Sequence, residues 1–426
     1  MRRSSAAANP APQSAVEAEL TIAAVGGEGD GVADGPVFVP FTLPGERVRA
    51  RGAGERRELV ELLESSPDRV EPPCPHFGVC GGCALQHWAP GPYLDWKVER
   101  LVATLARERI EAEILPPFAA APGTRRRLTL HARQGSRDAA RLGYKMRRSW
   151  SLVPIEVCPI AEPRLQAAFP ALRRLAAPLF QHPKSAPSLH LTLTETGIDV
   201  EITGVERKSG GLSADARVRV AEAAAQADFA RVALDGEVAY LARQPTVRFG
   251  PATVAMPSGA FLQAVAGAEA AMAEFAVAAC AGAARIADLY CGLGAFAFRL
   301  AQIASVHAAD ESRAAVSALV AAQAGAPGLK GITAEARDLA RRPMLAEEMK
   351  RFDVVLFDPP RAGAAEQAAQ IARSKVGRVI AVSCNPATFA RDATTLIAGG
   401  FRLTRVLPVD QFLWSPHIEL VAAFER

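Results

Sequence analysis

Cys384 lies in the run Ser383-Cys384-Asn385-Pro386-Ala387-Thr388, directly after an apolar segment (378–383) that reads as a strand. Downstream, Phe412-Leu413-Trp414-Ser415-Pro416-His417-Ile418-Glu419 supplies a carboxylate, Glu419. A thiol and a carboxylate are what substitution at carbon 5 of a pyrimidine requires, because that carbon carries no lone pair. A thiolate adding to carbon 6 makes an enolate whose carbon 5 attacks an alkyl donor. A base must then remove the carbon 5 proton before the thiolate can leave. Transfer to nitrogen or oxygen needs no such thiol. Taken singly, a cysteine of this kind is more often a small buried hydrophobe, and a glutamate a surface charge. Cys280 and Cys291 are read as such core residues.

Asp288-Leu289-Tyr290-Cys291-Gly292-Leu293-Gly294 places glycines after a strand, where backbone can approach a nucleotide closely. Asp310, ending the next strand, can accept hydrogen bonds from both ribose hydroxyls. The third glycine of a dinucleotide fold is missing, and no Lys-Ser or Lys-Thr follows for a phosphate loop. With Asp310 and Asp358 at strand ends, the pattern fits S-adenosylmethionine. Asp338 is placed to meet an adenine amino group or, equally, to cap a helix. Asp358-Pro359-Pro360-Arg361 is like the Asp-Pro-Pro-aromatic loop that holds amino groups in adenine and protein-amide methyltransferases. Arg361 at its fourth position bonds a carbonyl or phosphate instead; a turn made rigid by prolines is the plainer reading.

Cys74, Cys80 and Cys83 crowd one loop, and Cys158 follows at a distance in Val157-Cys158-Pro159. Four thiolates close a tetrahedral sulfur site, and zinc or an iron–sulfur cluster satisfies the spacing equally. His76 and His87 are nearby competitors for zinc. Three cysteines so close together without a metal would invite oxidation.

These groups need a scaffold. The chain of 426 residues is half hydrophobic, enough for a large core and two or three domains. Residues 1–16, rich in Ala, Ser and Pro, read as a disordered tail. Residues 17–70 read as short strands with glycine turns, a small OB-like barrel. A helix is expected over 92–109, with Leu94, Val98, Leu101, Val102 and Leu105 on one apolar face. Residues 71–250 hold the cysteine loop and a mixed α+β region, and residues 251–426 alternate strands with alanine-rich helices. Strands are expected at 285–289, 305–309, 352–357, 378–383 and 419–424. The fold class is thus α/β, with a Rossmann-like open sheet at the C-terminal end binding ligand at its strand carboxyl ends.

The net charge of +4 is mildly basic. Arg125, Arg126, Arg127, Arg133, Arg137, Arg141, Lys145, Arg147 and Arg148 face a single acid, Asp138, which reads either as a solvated strand face or as phosphate contact. No segment is apolar enough to span a membrane. Arg2-Arg3 precede no apolar segment that would make a secretory signal. Clustered cysteines in odd number favour a reducing cytoplasm over a disulfide framework.

Together these residues resemble the RNA uracil-5-methyltransferases, and among them the bacterial 23S rRNA branch that carries a [4Fe-4S] cluster. The resemblance runs from about residue 17 to the C-terminus. It implies a TRAM-like barrel at 17–70, through Phe41-Thr42-Leu43-Pro44-Gly45-Glu46. Pro73-Cys74-Pro75-His76-Phe77 and Cys80-Gly81-Gly82-Cys83-Ala84-Leu85-Gln86-His87 resemble the family's cluster motif and imply iron–sulfur ligation by Cys74, Cys80, Cys83 and Cys158. By position, Gln263, Tyr290, Asp310, Asp338 and Asp358 would hold S-adenosylmethionine, Cys384 would be the nucleophile and Glu419 the base. Two positions depart from the pattern. Val265 stands where the family usually has asparagine, and Ala295 where it often has Asn or Thr.

The expected function is methylation of a flipped-out uridine, in 23S rRNA by the barrel-plus-cluster architecture, by a monomer. The alternatives are a transfer-RNA uridine, an amino-group methyltransferase working through Asp358-Pro359-Pro360, and a non-catalytic RNA-binding factor.

Overall fold

The computed structural model describes residues 16–205 and 211–426. The tail expected at 1–16 therefore lies, apart from Val16, outside the described residues. The chain forms two compact units. One holds the described residues up to Pro73 with Cys83–Tyr93 and Trp414–Pro416; the other holds Cys74–Gly82, Leu94–Leu413 and His417–Arg426.

In the first unit five antiparallel strands run in the order Val37–Pro40, Asp30–Ala33, Val16–Val25, Arg47–Gly52, Glu58–Glu64. The sheet curls. Phe38 donates to the Glu55 carbonyl at 2.6 Å and accepts from the Arg57 N–H at 3.0 Å, so the strand at one edge reaches the approach to the other. Ile22, Val37, Val39, Val48 and Ala50 fill the interior. At Gly31 a β-carbon would meet the Thr42 hydroxyl at 2.0 Å, so one of the sequence's glycines is required by close approach. Glu46 is fully buried and satisfied, accepting from the Leu43 N–H at 2.8 Å and from Arg69 Nη2 at 2.8 Å.

The second unit contains two large sheets. Seven strands run in the order Leu152–Pro154, Arg141–Lys145, Arg127–Arg133, Ser188–Thr194, Gly197–Thr203, Arg231–Leu234, Glu237–Leu241. Only Gly197–Thr203 and Arg231–Leu234 pair in parallel. Leu172 and Val220, from helices Phe169–Ala176 and Ala214–Gln226, share one core with this sheet.

The other sheet has a parallel centre. Its order is Ile332–Ala336, Ser305–Asp310, Arg285–Leu289, Val354–Phe357, Arg378–Ser383, then antiparallel Glu419–Glu425 and Arg402–Asp410, with short Glu113–Ile114 and Phe118–Ala119 on the far edge. Counted in chain order from Arg285, that is 3-2-1-4-5-7-6. Direction reverses beside Arg285–Leu289, where an open α/β sheet leaves a crevice at the strand carboxyl ends. All four residues of Val354–Phe357 are buried, as a strand covered on both faces demands.

The strands expected at 285–289 and 378–383 are present with those bounds, and the others differ by one or two residues. Ile332–Ala336 and Arg402–Asp410 were not anticipated. The helix runs Pro90–Arg107, not 92–109, because Arg109 turns into the left-handed region at φ 56°. Of the expected face, Leu101 and Leu105 are buried and Leu94 and Val98 half-buried, whereas Val102 is exposed; Lys97, not expected inside, is buried. Among the described residues no helix is long and apolar enough to cross a membrane.

Candidate active site

Four strands of the parallel sheet end at the same crevice, and each delivers a polar residue. Tyr290 follows Arg285–Leu289, Asp310 closes Ser305–Asp310, Asp358 follows Val354–Phe357 and Cys384 follows Arg378–Ser383. All four line one cavity of about 770 Å³, together with Gln263, Asp338, Arg361, Gln411 and Glu419. Every residue named above for S-adenosylmethionine, and both members of the thiol–carboxylate pair, thus come together.

The glycine turn is shaped by backbone conformation. Tyr290 holds φ at 63° and Gly292 at 52°, both left-handed. A β-carbon on Gly292 would meet nothing within 4 Å, so that residue opens the cavity. A β-carbon on Gly294 would meet Phe298 and Leu319 at 2.9 Å, so that glycine lets the following helix pack. Asp310 accepts from Gly292 N–H at 2.9 Å and Ser312 N–H at 2.8 Å. Asp338 accepts from the N–H groups of Ala340 and Arg341, each at 3.1 Å, closing a turn and capping no helix, while also lining the cavity.

The carboxylates repel one another. Burial, with the Asp310 charge adding to it, pushes Asp358 up to about 7, against a hydrogen bond from Gln263. Burial and then Asp358 push Glu419 up to about 8. Cys384 is pushed up to about 11 by burial, Glu419 and Asp358, while Arg361 pulls it down. Burial also raises fully buried Asp288 far above the usual carboxylate range, with Asp358 and Asp310 contributing. A set of acids that raise each other is a site prepared for a cation or for proton transfer.

Gln411 was missed in the sequence. It donates to Glu419 Oε2 at 2.9 Å and to Gln263 Oε1 at 2.8 Å. No spacing rule marks it; its neighbours in the sequence are Asp410, which ends a strand, and Phe412.

The basic segment divides in two. Arg126 is spent on buried Glu269 at 2.6 Å, and Arg127, which lines the cavity, donates to the Leu262 carbonyl at 2.7 Å. The turn Lys145–Trp150 instead lines a separate cleft of about 440 Å³ with Gly81. Trp150 is 80% exposed, and Lys145 Nζ stands 3.9 Å from its ring centre. Gly81 donates to the Lys145 carbonyl at 3.0 Å and has no room for a side chain there.

Cys74, Cys80 and Cys158 are free thiols of the second unit. Burial raises Cys80, and Cys158 and Cys74 then add to the rise, so the three lie within reach of each other's charge. Gly82 N–H donates to Cys80 Sγ at 3.4 Å, and the Tyr144 hydroxyl lies 3.7 Å from Cys158 Sγ. His76 Nε2 accepts from the Glu156 N–H at 3.1 Å, which occupies that nitrogen. Cys83 belongs to the first unit. Among the described residues no group of three or more His, Cys, Asp or Glu side chains is arranged to hold a metal ion.

A family model described as tRNA (Uracil-5-)-methyltransferase matches residues 237–426. A Caulobacter vibrioides protein named an RNA methyltransferase is 63% identical over 413 residues, covering 96% of this chain and all of that one. A 23S rRNA (uracil(1939)-C(5))-methyltransferase of Alkalilimnicola ehrlichii is 33% identical, with 96% of each chain covered. Among solved structures, the Pyrococcus abyssi tRNA (uracil-54, C5)-methyltransferase in complex with S-adenosyl-L-homocysteine shares the fold. Its TM-score is 0.72 at 24% identity, over 96% of this chain and all of that one. The two relatives match over nearly their whole length, and the chain belongs to the family of RNA uracil-5-methyltransferases.

Proposed function

We propose that this enzyme transfers a methyl group from S-adenosylmethionine to carbon 5 of a uridine in 23S rRNA, through a covalent bond from Cys384. The observation that carries this reading is the shared cavity of Cys384, Asp358 and Glu419, close enough for each carboxylate to act on the thiol. S-adenosylmethionine, as substrate, brings an electrophilic methyl group and a positive charge. Gln263, Tyr290, Asp310, Asp338 and Asp358 would hold it, and the acidic wall suits the cation.

The steps assigned to the chain's own residues balance as follows. The Cys384 thiolate forms a bond to carbon 6, and the ring's π electrons move onto the carbon 4 carbonyl. Carbon 5 of that enolate takes the methyl group as the donor's sulfur–methyl bond breaks. Glu419 removes the carbon 5 proton, the C–H pair restores the double bond, and Cys384 departs as thiolate. The target base must be unstacked to enter the cavity. Lys145 and exposed Trp150 are suited to hold flanking single-stranded RNA by charge and stacking.

By likeness to the family's cysteine motif, this reading assigns a [4Fe-4S] cluster to Cys74, Cys80, Cys83 and Cys158. The N–H beside Cys80 and the O–H beside Cys158 suit sulfur that carries charge. Such a cluster would order the loop beside the Lys145–Trp150 turn. Residues 17–70 act in this reading as a TRAM-like RNA-binding barrel, and the enzyme works as a cytoplasmic monomer. Methylation of 23S RNA and transfer RNA by parent and Cys384→Ala enzyme tests the reading.

A further inference from the structure

Gln411 is 2% exposed, and its amide is fully engaged. Its Oε1 accepts from the Ala264 backbone N–H at 3.1 Å, which leaves Nε2 as the end that faces Glu419 and Gln263. A primary amide has two N–H donors, and here one goes to each partner. Because Gln263 Oε1 is the acceptor, Gln263 Nε2 must face Asp358, and it lies 3.4 Å from Asp358 Oδ2. A continuous line of hydrogen bonds therefore runs Glu419–Gln411–Gln263–Asp358. Glu419 Oε2 is taken by Gln411, whereas Oε1 has no hydrogen-bond partner among the described residues, and Glu419 lines the cavity.

We propose that Gln411 is a positioning residue for proton removal. It pins one oxygen of Glu419 so that the other faces the carbon 5 proton, and through Gln263 it ties the base to the carboxylate on the methyl-donor side. The proposal rests on the covalent reading above. In the step concerned, the carbon 5 proton passes to Glu419 Oε1, the C–H electron pair becomes the C5–C6 double bond, and the C6–S bond breaks with its pair returning to Cys384. Gln411 neither gives nor takes a proton. Its N–H favours the charged carboxylate, which opposes the burial and the Asp358 charge that favour the neutral acid.

Gln411→Met keeps length and removes both donors, and Gln411→Glu keeps shape while placing a second acid beside Glu419. The full-chain enzyme, unmodified 23S RNA and labelled S-adenosylmethionine would be followed in single turnover, with methylated covalent adduct separated from released product on denaturing gels. Adduct release should slow on the order of tenfold or more while methyl incorporation changes little. The pH midpoint of release should move upward in both variants. Release rates and midpoints equal to the parent's would overturn the proposal. So would a uniform loss of incorporation and release with an unmoved midpoint, which is what a purely structural role produces. Failure of the underlying reading looks different: the parent enzyme would form no adduct, or Cys384→Ala would still methylate.

Discussion

Lys97, which has no exposed side-chain surface, places its Nζ 2.6 Å from Asp410 Oδ1, and Asp410 is the residue before Gln411. Burial lowers Lys97 to about 8, with Asp410 resisting the fall. The same Nζ donates to the Phe412 carbonyl at 3.1 Å, so one ammonium ties the Asp410 side chain and the Phe412 backbone on either side of Gln411. Lys97→Met should cost about 3–5 kcal/mol, because it leaves a buried carboxylate uncompensated. The double variant Lys97→Met/Asp410→Leu should recover much of that loss. Chemical denaturation of both variants checks this.

The two glycines of the cofactor turn should respond differently. Gly292→Ala meets no neighbour, so its cost is the left-handed backbone, about 1–2 kcal/mol. Its new methyl enters the cavity, so affinity for S-adenosylmethionine should fall. Gly294→Ala meets Phe298 and Leu319, and should lose more stability with the cavity itself unobstructed. Thermal unfolding and equilibrium binding, run side by side, separate the two.

Activity should climb with pH. The reaction uses Cys384 as thiolate and Glu419 as carboxylate, and both are raised by burial and neighbouring carboxylates, to about 11 and about 8. The kcat/KM profile should therefore still rise between pH of about 6 and 9. Stability should move the opposite way. A carboxyl whose folded pKa is raised contributes stability below its unfolded value and loses it as pH climbs through the folded one. Glu419→Gln should therefore unfold at higher temperature than the parent at pH of about 9, with the gap closing near pH of about 4.

Trp150→Ala should weaken RNA binding by about 1–3 kcal/mol, the usual worth of one stacked base. Lys145→Ala should reduce the magnitude of the salt slope by about 0.7, as expected for one phosphate contact on a single strand. Fluorescence anisotropy with an RNA oligonucleotide across a salt series measures both. Unchanged affinity in both would remove this turn from the RNA surface.

The legible parts of the fold were those where burial leaves a strong mark. Arg378–Ser383 is a near-continuous apolar run, and Arg285–Leu289 is buried from Ile286 onward, because central parallel strands are covered on both faces. Ile332–Ala336 is an edge strand whose Thr and Glu residues dilute the pattern, and Arg402–Asp410 carries Pro408 and charged residues as part of an antiparallel hairpin. The strand-end groups Tyr290, Asp310, Asp358 and Cys384 could be located because a strand's carboxyl end is itself readable. Lys97 and Gln411 could not, since a lysine in an amphipathic helix reads as a solvated face and an amide as neutral filler. Their roles depend on partners 313 and 8 residues away respectively.

The central claim is the thiol's covalent role. The decisive measurement is label from S-adenosylmethionine in nucleosides digested from 23S RNA and, separately, transfer RNA, with parent and Cys384→Ala enzyme in parallel. Label is expected in 5-methyluridine from 23S RNA and absent with Cys384→Ala. Label in a methylated amino base, or 5-methyluridine formed without Cys384, would contradict it. Label confined to transfer RNA would leave the chemistry standing and overturn the choice of substrate.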